Sequence, residues 1–148
     1  MDHLDLLQSV ELFEGVTQEE LKLLAGICKA QNYPPGEVIT SQGETGDEIF
    51  IVQEGFVEVI RSELSPGAGP RTVVNLGQGQ IFGEMALVDH GPRSATIRAA
   101  SDPTSVLVIM REDFERVCEQ NYHLGFIVMR NIAADLSFKL RHRNLTGR

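Results

Sequence analysis

Cysteine is scarce in this chain and placed where it can do little. Cys28 and Cys118 stand alone, without CxxC spacing, in segments whose apolar residues recur at helical intervals. Two isolated thiols build no disulfide framework, and buried free thiols in a reducing cytosol are expected. Long apolar runs are missing as well. Nothing approaches the roughly 20 residues of a membrane span, and the start MDHLDLLQSV has neither the basic opening nor the apolar middle of a signal peptide. The expected setting is cytoplasmic, with no membrane contact. Positive charge is the third shortage. Thirteen Lys and Arg face 21 Asp and Glu, a net charge of -8. A broad basic surface for phosphate backbones is thereby excluded, and direct nucleic-acid binding is not expected. An anion bound here must be held locally.

The charge is unevenly spread. Residues 1–127 carry 20 of the 21 acids and 8 of the 13 cations, a balance of -12, whereas Arg130, Lys139, Arg141, Arg143 and Arg148 face only Asp135 in the remainder, a balance of +4. Cations sit favourably near a helix C-terminus, so a solvated helix end accounts for this; a partner contact or a lid over a nucleotide are the other readings.

At 148 residues the chain can bury one core and is too short for two, so a single domain over 1–148 is expected. Residues 3–9 suit a short helix. Thr17 and Glu20 form a T-x-x-E capping pattern ahead of Leu21, Leu24, Ala25 and Cys28, which predicts a capped amphipathic helix over 17–29. From Asn32 the texture changes. Pro34, Pro35 and a series of glycines divide the chain into the β-branched runs EVIT, EIFIVQ, FVEVIR, RTVVNL, SATIRA and TSVLVIM, the pattern of a small sandwich, barrel or jelly roll. ELSPGAGP reads as a flexible hairpin tip. After Met110 helical periodicity returns, first in REDFERVCEQ and then from Leu124 through Ile127, Val128, Ile132, Leu136 and Leu140. The expected class is α+β: helices over 1–30, a β-roll of about eight short antiparallel strands over 31–110, and two helices over 111–145.

Within the β region, FGEMALVDHGPRSAT, residues 82–96, carries the chemistry. Phe82 to Leu87 is too short for a strand and rich in helix formers. A glycine leading into one helical turn exposes backbone N–H groups that attract an anion. Neither the Gly-Lys-Ser/Thr of a P-loop nor a GxGxxG fingerprint is present. Arg93 adds a full charge in a planar fork that fits two phosphate oxygens, and Pro92 stiffens its approach. Glu84 would repel a phosphate and must accept from neutral donors such as sugar hydroxyls. One acceptor for a hydroxyl and one cation for a phosphate describe a sugar phosphate. The plain alternative is a salt bridge between Arg93 and Glu84.

The order and spacing of FGEMAL and PRSAT resemble the phosphate-binding cassette of the cyclic nucleotide-binding domain family, found in catabolite activators, protein kinase regulatory subunits and cyclic nucleotide-gated channels. PPGEVITSQGETGDEIFIVQEGFVEVI, the NLGQGQIFGE approach and the DF-containing helix after TSVLVIM extend the resemblance over roughly residues 10–140. It implies that Glu84 holds the ribose 2′-hydroxyl, and that Gly83, Met85 and Ala86 place backbone groups on the ribose and cyclic phosphate. Arg93 would pair with the phosphate charge, Ser94 and Ala95 would contribute a hydroxyl and an N–H, and Val74 would pack on the purine. The last helix would be the lid, with Asp135 or Lys139 at the base edge; an i,i+4 salt bridge between these two in water is the alternative. Ser94, where Thr often accompanies guanine preference, favours cAMP over cGMP.

The resemblance therefore implies a non-enzymatic sensor that closes its last helix on a ligand and regulates a protein partner or fused effector. The chain ends soon after the last helical period, so no DNA-reading domain is expected within it. A cGMP-selective sensor, or a relative kept only for protein contact, are the alternatives. A cupin enzyme would need clustered histidines with a Glu around a metal, but His3, His90, His123 and His142 are scattered; neither metal nor cofactor is expected. Phe126, Met129 and Phe138 give the last helix surface for a homodimer as well as a lid. Asp89 and His90 belong to this chain's own loop: Asp89 should point away from the phosphate, and His90 reads as a solvent-exposed loop residue. On these expectations Arg93→Ala abolishes binding and leaves ligand-free stability nearly unchanged, and deleting 130–148 weakens binding.

Overall fold

The computed structural model describes residues 2–62 and 70–145. Residues 63–69 of the expected hairpin tip, and Arg148 of the basic end, lie outside the described residues.

Helix α1 (His3–Gln8) starts at Asp2, whose carboxylate accepts the Asp5 N–H at 2.8 Å. A 3₁₀ turn over Glu11–Phe13 leads to α2 (Gln18–Ile27). The capping box is formed in full: Glu20 N–H donates to Thr17 Oγ1 at 3.2 Å and Thr17 N–H to Glu20 Oε1 at 2.9 Å. Helix α2 stops at Ile27 because strand β1 (Lys29–Tyr33) begins at once, ahead of the boundary expected at residue 31. Four of the five β1 residues are exposed. No apolar alternation marks this strand; it exists because its backbone pairs with β8, from Lys29 opposite Val108 to Tyr33 opposite Thr104.

The remaining strands are β2 (Val38–Thr40), β3 (Glu48–Glu54), β4 (Val57–Ser62), β5 (Pro70–Leu76), β6 (Ile81–Phe82), β7 (Thr96–Ala99) and β8 (Thr104–Met110). They form two antiparallel four-stranded sheets, ordered β1-β8-β3-β6 and β2-β7-β4-β5. The continuous apolar runs in β3 and β8 have a topological cause: side chains alternate across a strand, and both faces of these two are covered. Ile49, Ile51, Leu107 and Ile109 pack under the helices with Leu7, Leu24 and Phe114. Phe50, Val52 and Val106 face the inside of the roll with Val57, Phe82 and Ile97.

Helix α3 (Arg111–Gln120) is followed by α4 (Tyr122–Leu145). The first half of α4 is docked. Leu124, Ile127, Val128 and Ile132 are buried, and the Asn131 amide donates to the carbonyls of Leu12 at 2.8 Å and Glu14 at 2.9 Å. His123 Nδ1 lies 2.9 Å from Glu20 Oε1. Burial pushes the Glu20 carboxyl upward, but bonds from the Thr17 N–H, from His123 and from the Thr17 hydroxyl outweigh it and hold the group below its ordinary value. Beyond Ile132 the helix leaves the body, and Leu136, Phe138 and Leu140 are exposed. Cys28 and Cys118 are free thiols, pushed up by burial to about 12 and about 11. Among the described residues no helix is long and apolar enough to cross a membrane.

Candidate ligand cleft

Strand β6 ends at Phe82, and Gly83 turns the chain with φ of 76° into a 3₁₀ turn over Glu84–Leu87. Two constraints demand glycine. The left-handed backbone is one; the other is space, because a Cβ at Gly83 would lie 2.7 Å from Arg93 Nη1 and 3.0 Å from the Glu48 carbonyl. The turn is short, so the Ala86 N–H closes on the Gly83 carbonyl at 3.1 Å. Among the described residues the N–H groups of Glu84, Met85 and Ala95 have no acceptor.

Arg93 is held by its backbone and its side chain together. Its N–H donates to the Glu44 carbonyl at 2.8 Å, and its carbonyl accepts from Gly43 N–H at 2.9 Å. The side chain is only 10% exposed. Its guanidinium lies 5.8 Å from the centre of the Phe50 ring, which stacks on Phe82 at 4.8 Å. Nη2 donates to the Glu48 carbonyl at 3.0 Å, and Nη1 reaches the Gly83 carbonyl at 3.5 Å, the long limit of a hydrogen bond. The nearest carboxylate is Glu48, with Oε1 3.6 Å from Nη2. The ion pair considered between Arg93 and Glu84 is therefore not formed. Among the described residues the Glu84 carboxylate has no hydrogen-bond or ion-pair partner.

Arg93 and Glu84 open onto one cleft of about 310 Å³, lined also by Val59, Leu76, Met85, Ser94, Ala95 and Lys139. A larger groove of about 750 Å³ adjoins it and runs between α4, the 3₁₀ turn at residues 11–13 and the β5–β6 turn. Leu76, Ile81, Glu84, Met85 and Lys139 border both. Arg93 lines only the smaller one, which alone combines a fixed cation, a free carboxylate and unpaired N–H groups.

The expected site residues fall into three groups. Gly83, Glu84, Met85, Ala86, Arg93, Ser94 and Ala95 all line the cleft. Val74 is the cross-strand partner of Val59 and shares its face, but is 45% exposed; Val59 and Leu76 form the apolar wall instead. Leu76 was legible two positions along the same strand face, whereas Val59 is brought in by sheet pairing. Asp135 and Lys139 do form the i,i+4 ion pair, at 2.9 Å, yet Asp135 borders the larger groove and Lys139 both cavities.

The loop between the two halves of the cassette is tied from outside. Asp89 Oδ1 accepts the Gly91 N–H at 2.9 Å, although Asp89 still lines the cleft. His90 is exposed, with Nδ1 2.9 Å from Arg111 Nη1 and 3.4 Å from Asp47 Oδ1. Arg111 also reaches the Asp89 carbonyl at 3.2 Å. None of these loop contacts was visible in the residue pattern.

Fold and cleft together define a β-roll whose cleft is suited in its chemistry to an anionic, hydroxyl-bearing ligand. The family model described as cyclic nucleotide-binding domain matches residues 30–121, and the chain belongs to that family. Such domains are regulatory and non-catalytic in general. A cyclic AMP receptor protein of Thermus thermophilus is 37% identical over 134 residues, covering 90% of this chain and 59% of that protein. The crystal structure of the Thermus thermophilus catabolite activator protein superposes with a TM-score of 0.79 at 35% identity, covering 92% of this chain and 61% of the other. A cGMP-dependent protein kinase of Caenorhabditis elegans is 31% identical over 114 residues, covering 77% of this chain and 14% of the kinase. The chain thus spans about three fifths of the length of the first two of these proteins and about a seventh of the kinase.

Proposed function

We propose that the cleft binds cAMP, with Arg93 on the cyclic phosphate and Glu84 on the ribose 2′-hydroxyl, and that the module regulates a protein partner or fused effector in the cytoplasm without catalysing a reaction. The observation that carries this reading is the pairing of a nearly buried, rigidly seated guanidinium with an unpartnered carboxylate in one cleft. A phosphodiester satisfies the first and a sugar hydroxyl the second. Met85 N–H and Ala95 N–H are open to the phosphate and ribose, and Ser94 adds a hydroxyl. Ala86 contributes wall rather than donor, since its N–H already bonds Gly83. Val59 and Leu76 take the purine face, with Val74 at its exposed edge.

Ser94 and the likeness to a cyclic AMP receptor favour adenine; the likeness to a cGMP-dependent kinase supports guanine as the second reading. Side-by-side calorimetric titration with cAMP and cGMP decides between them, and the absence of binding to either would overturn the assignment.

The output is the undocked half of α4. A ligand moves it only by binding one of its positions more tightly than another, and Lys139, on the border of both cavities, supplies that contact. The same helix carries Tyr122, Phe126, Met129, Ala133, Leu136 and Leu140 at alternating four- and three-residue steps, the spacing of a coiled-coil seam; all are exposed except Met129, which is half-buried against the core. This supports a homodimer through α4, which sedimentation equilibrium would detect. Phe138 lies off that seam, against His142.

A further inference from the structure

The ligand-free charge balance at Arg93 is set by one residue outside the cleft lining. Glu48 opens β3, and its carboxylate is anchored: Oε1 accepts the Asp47 N–H at 3.0 Å and stands 3.6 Å from Arg93 Nη2. The Glu48 backbone carbonyl meanwhile accepts from the same Nη2 at 3.0 Å. Glu48 thus holds the guanidinium twice, once as a neutral acceptor and once as a resident anion. The carbonyl fixes position, and a phosphate on the cleft side leaves it in place. The carboxylate is different in kind. Its charge draws on the same cation that a phosphate would use, and the two anions repel across the guanidinium.

We propose that Glu48 is an affinity-setting residue: a built-in counter-ion that stabilises Arg93 in the empty site and lowers affinity for the anionic ligand. This rests on the cyclic-nucleotide reading of the cleft. A sensor gains from such an arrangement, because a buried cation without any counter-ion is costly when the site is empty, and an over-tight site does not release its ligand.

The test is Glu48→Gln, whose amide oxygen still accepts the Asp47 N–H while the charge is gone. Two measurements are read together: the cAMP dissociation constant by calorimetry at low and at high salt, and the melting temperature without ligand. With a phosphate on one side of a nearly buried cation and a partly exposed carboxylate on the other, the expected effect is about three- to tenfold tighter binding at low salt. The gain shrinks at high salt as the carboxylate is screened, and the ligand-free melting temperature stays equal or falls. A merely structural Glu48 would give weaker binding together with a lower melting temperature, and that outcome overturns the proposal. An unchanged dissociation constant overturns it too. If the wild-type protein binds neither cAMP nor cGMP, the reading of the cleft falls first and this role with it; wild-type binding with an unaffected variant refutes Glu48 alone.

Discussion

Arg93→Ala separates affinity from stability more sharply than any other change to the cleft. A guanidinium presenting two charge-assisted bonds to a phosphodiester contributes roughly 1.5–3 kcal/mol through each, but one of its nitrogens already serves the Glu48 carbonyl at 3.0 Å. The lower part of that range is therefore expected, about 3–4 kcal/mol in all, which weakens cAMP binding by a few hundred-fold. Stability follows a different route. With 10% of the side chain exposed and the guanidinium 5.8 Å from the centre of the Phe50 ring, truncation removes packing and leaves the Glu48 carbonyl without its donor. Unmet acceptors of this kind cost about 1–3 kcal/mol, and water admitted through the enlarged cleft restores part of it. A net loss of about 1–2 kcal/mol lowers the melting temperature by roughly 2–8 °C in a domain of this size. Near-invariant stability, the expectation from the sequence, is thus replaced by a small but measurable drop. Calorimetry with cAMP and ligand-free thermal melts provide both numbers. Binding retained within threefold would refute the phosphate role, and a protein that no longer folds would show Arg93 to be chiefly structural.

Glu84→Ala should weaken cAMP by about 1–2 kcal/mol and have much less effect on 2′-deoxy-cAMP; an equal loss for both ligands would separate Glu84 from the hydroxyl. Truncation should begin at residue 133 rather than 130, because Asn131 and Ile132 anchor α4 to the body. Removing 133–148 should leave the melting temperature nearly unchanged and speed ligand dissociation, whereas unaltered dissociation would remove the end of α4 from the mechanism. Glu20 sits below the ordinary carboxyl value in the fold, so its contribution is present above the unfolded value, near pH 4.3, and fades as pH falls through the lower folded one. The stability gap between the wild-type protein and Glu20→Gln should accordingly be widest near neutrality and close in acid. A gap independent of pH would mean that the carboxylate charge is irrelevant to the Thr17 and His123 contacts.

Local rules sufficed wherever the cause of structure is itself local. The capping box at Thr17 and Glu20 is readable because both partners lie within one turn. β3 and β8 announce themselves by apolar runs, and α4 by its repeat. The cassette was legible for the same reason: a glycine, a short turn and an arginine must follow one another along the chain for a turn to expose N–H groups beside a cation. β1 and β6 escaped notice because one is polar and the other has only two residues; a partner strand, not propensity, makes them.

Sequence alone determined that this chain builds a β-roll with helical ends and carries one cationic and one acidic group, Arg93 and Glu84, on one short cassette. Which groups hold those two in place was decided only in three dimensions. Glu48 is 45 positions from Arg93, and Glu20 is 103 from His123, so no spacing rule links them. The counter-ion of Arg93, the apolar wall from Val59, and the point where α4 leaves the body all arise from strands and helices distant in the chain closing on one another. Local pattern specifies the elements, because backbone geometry repeats over a few residues; long-range packing specifies who neutralises a buried charge, because desolvation makes every such charge seek whatever partner the fold brings within reach.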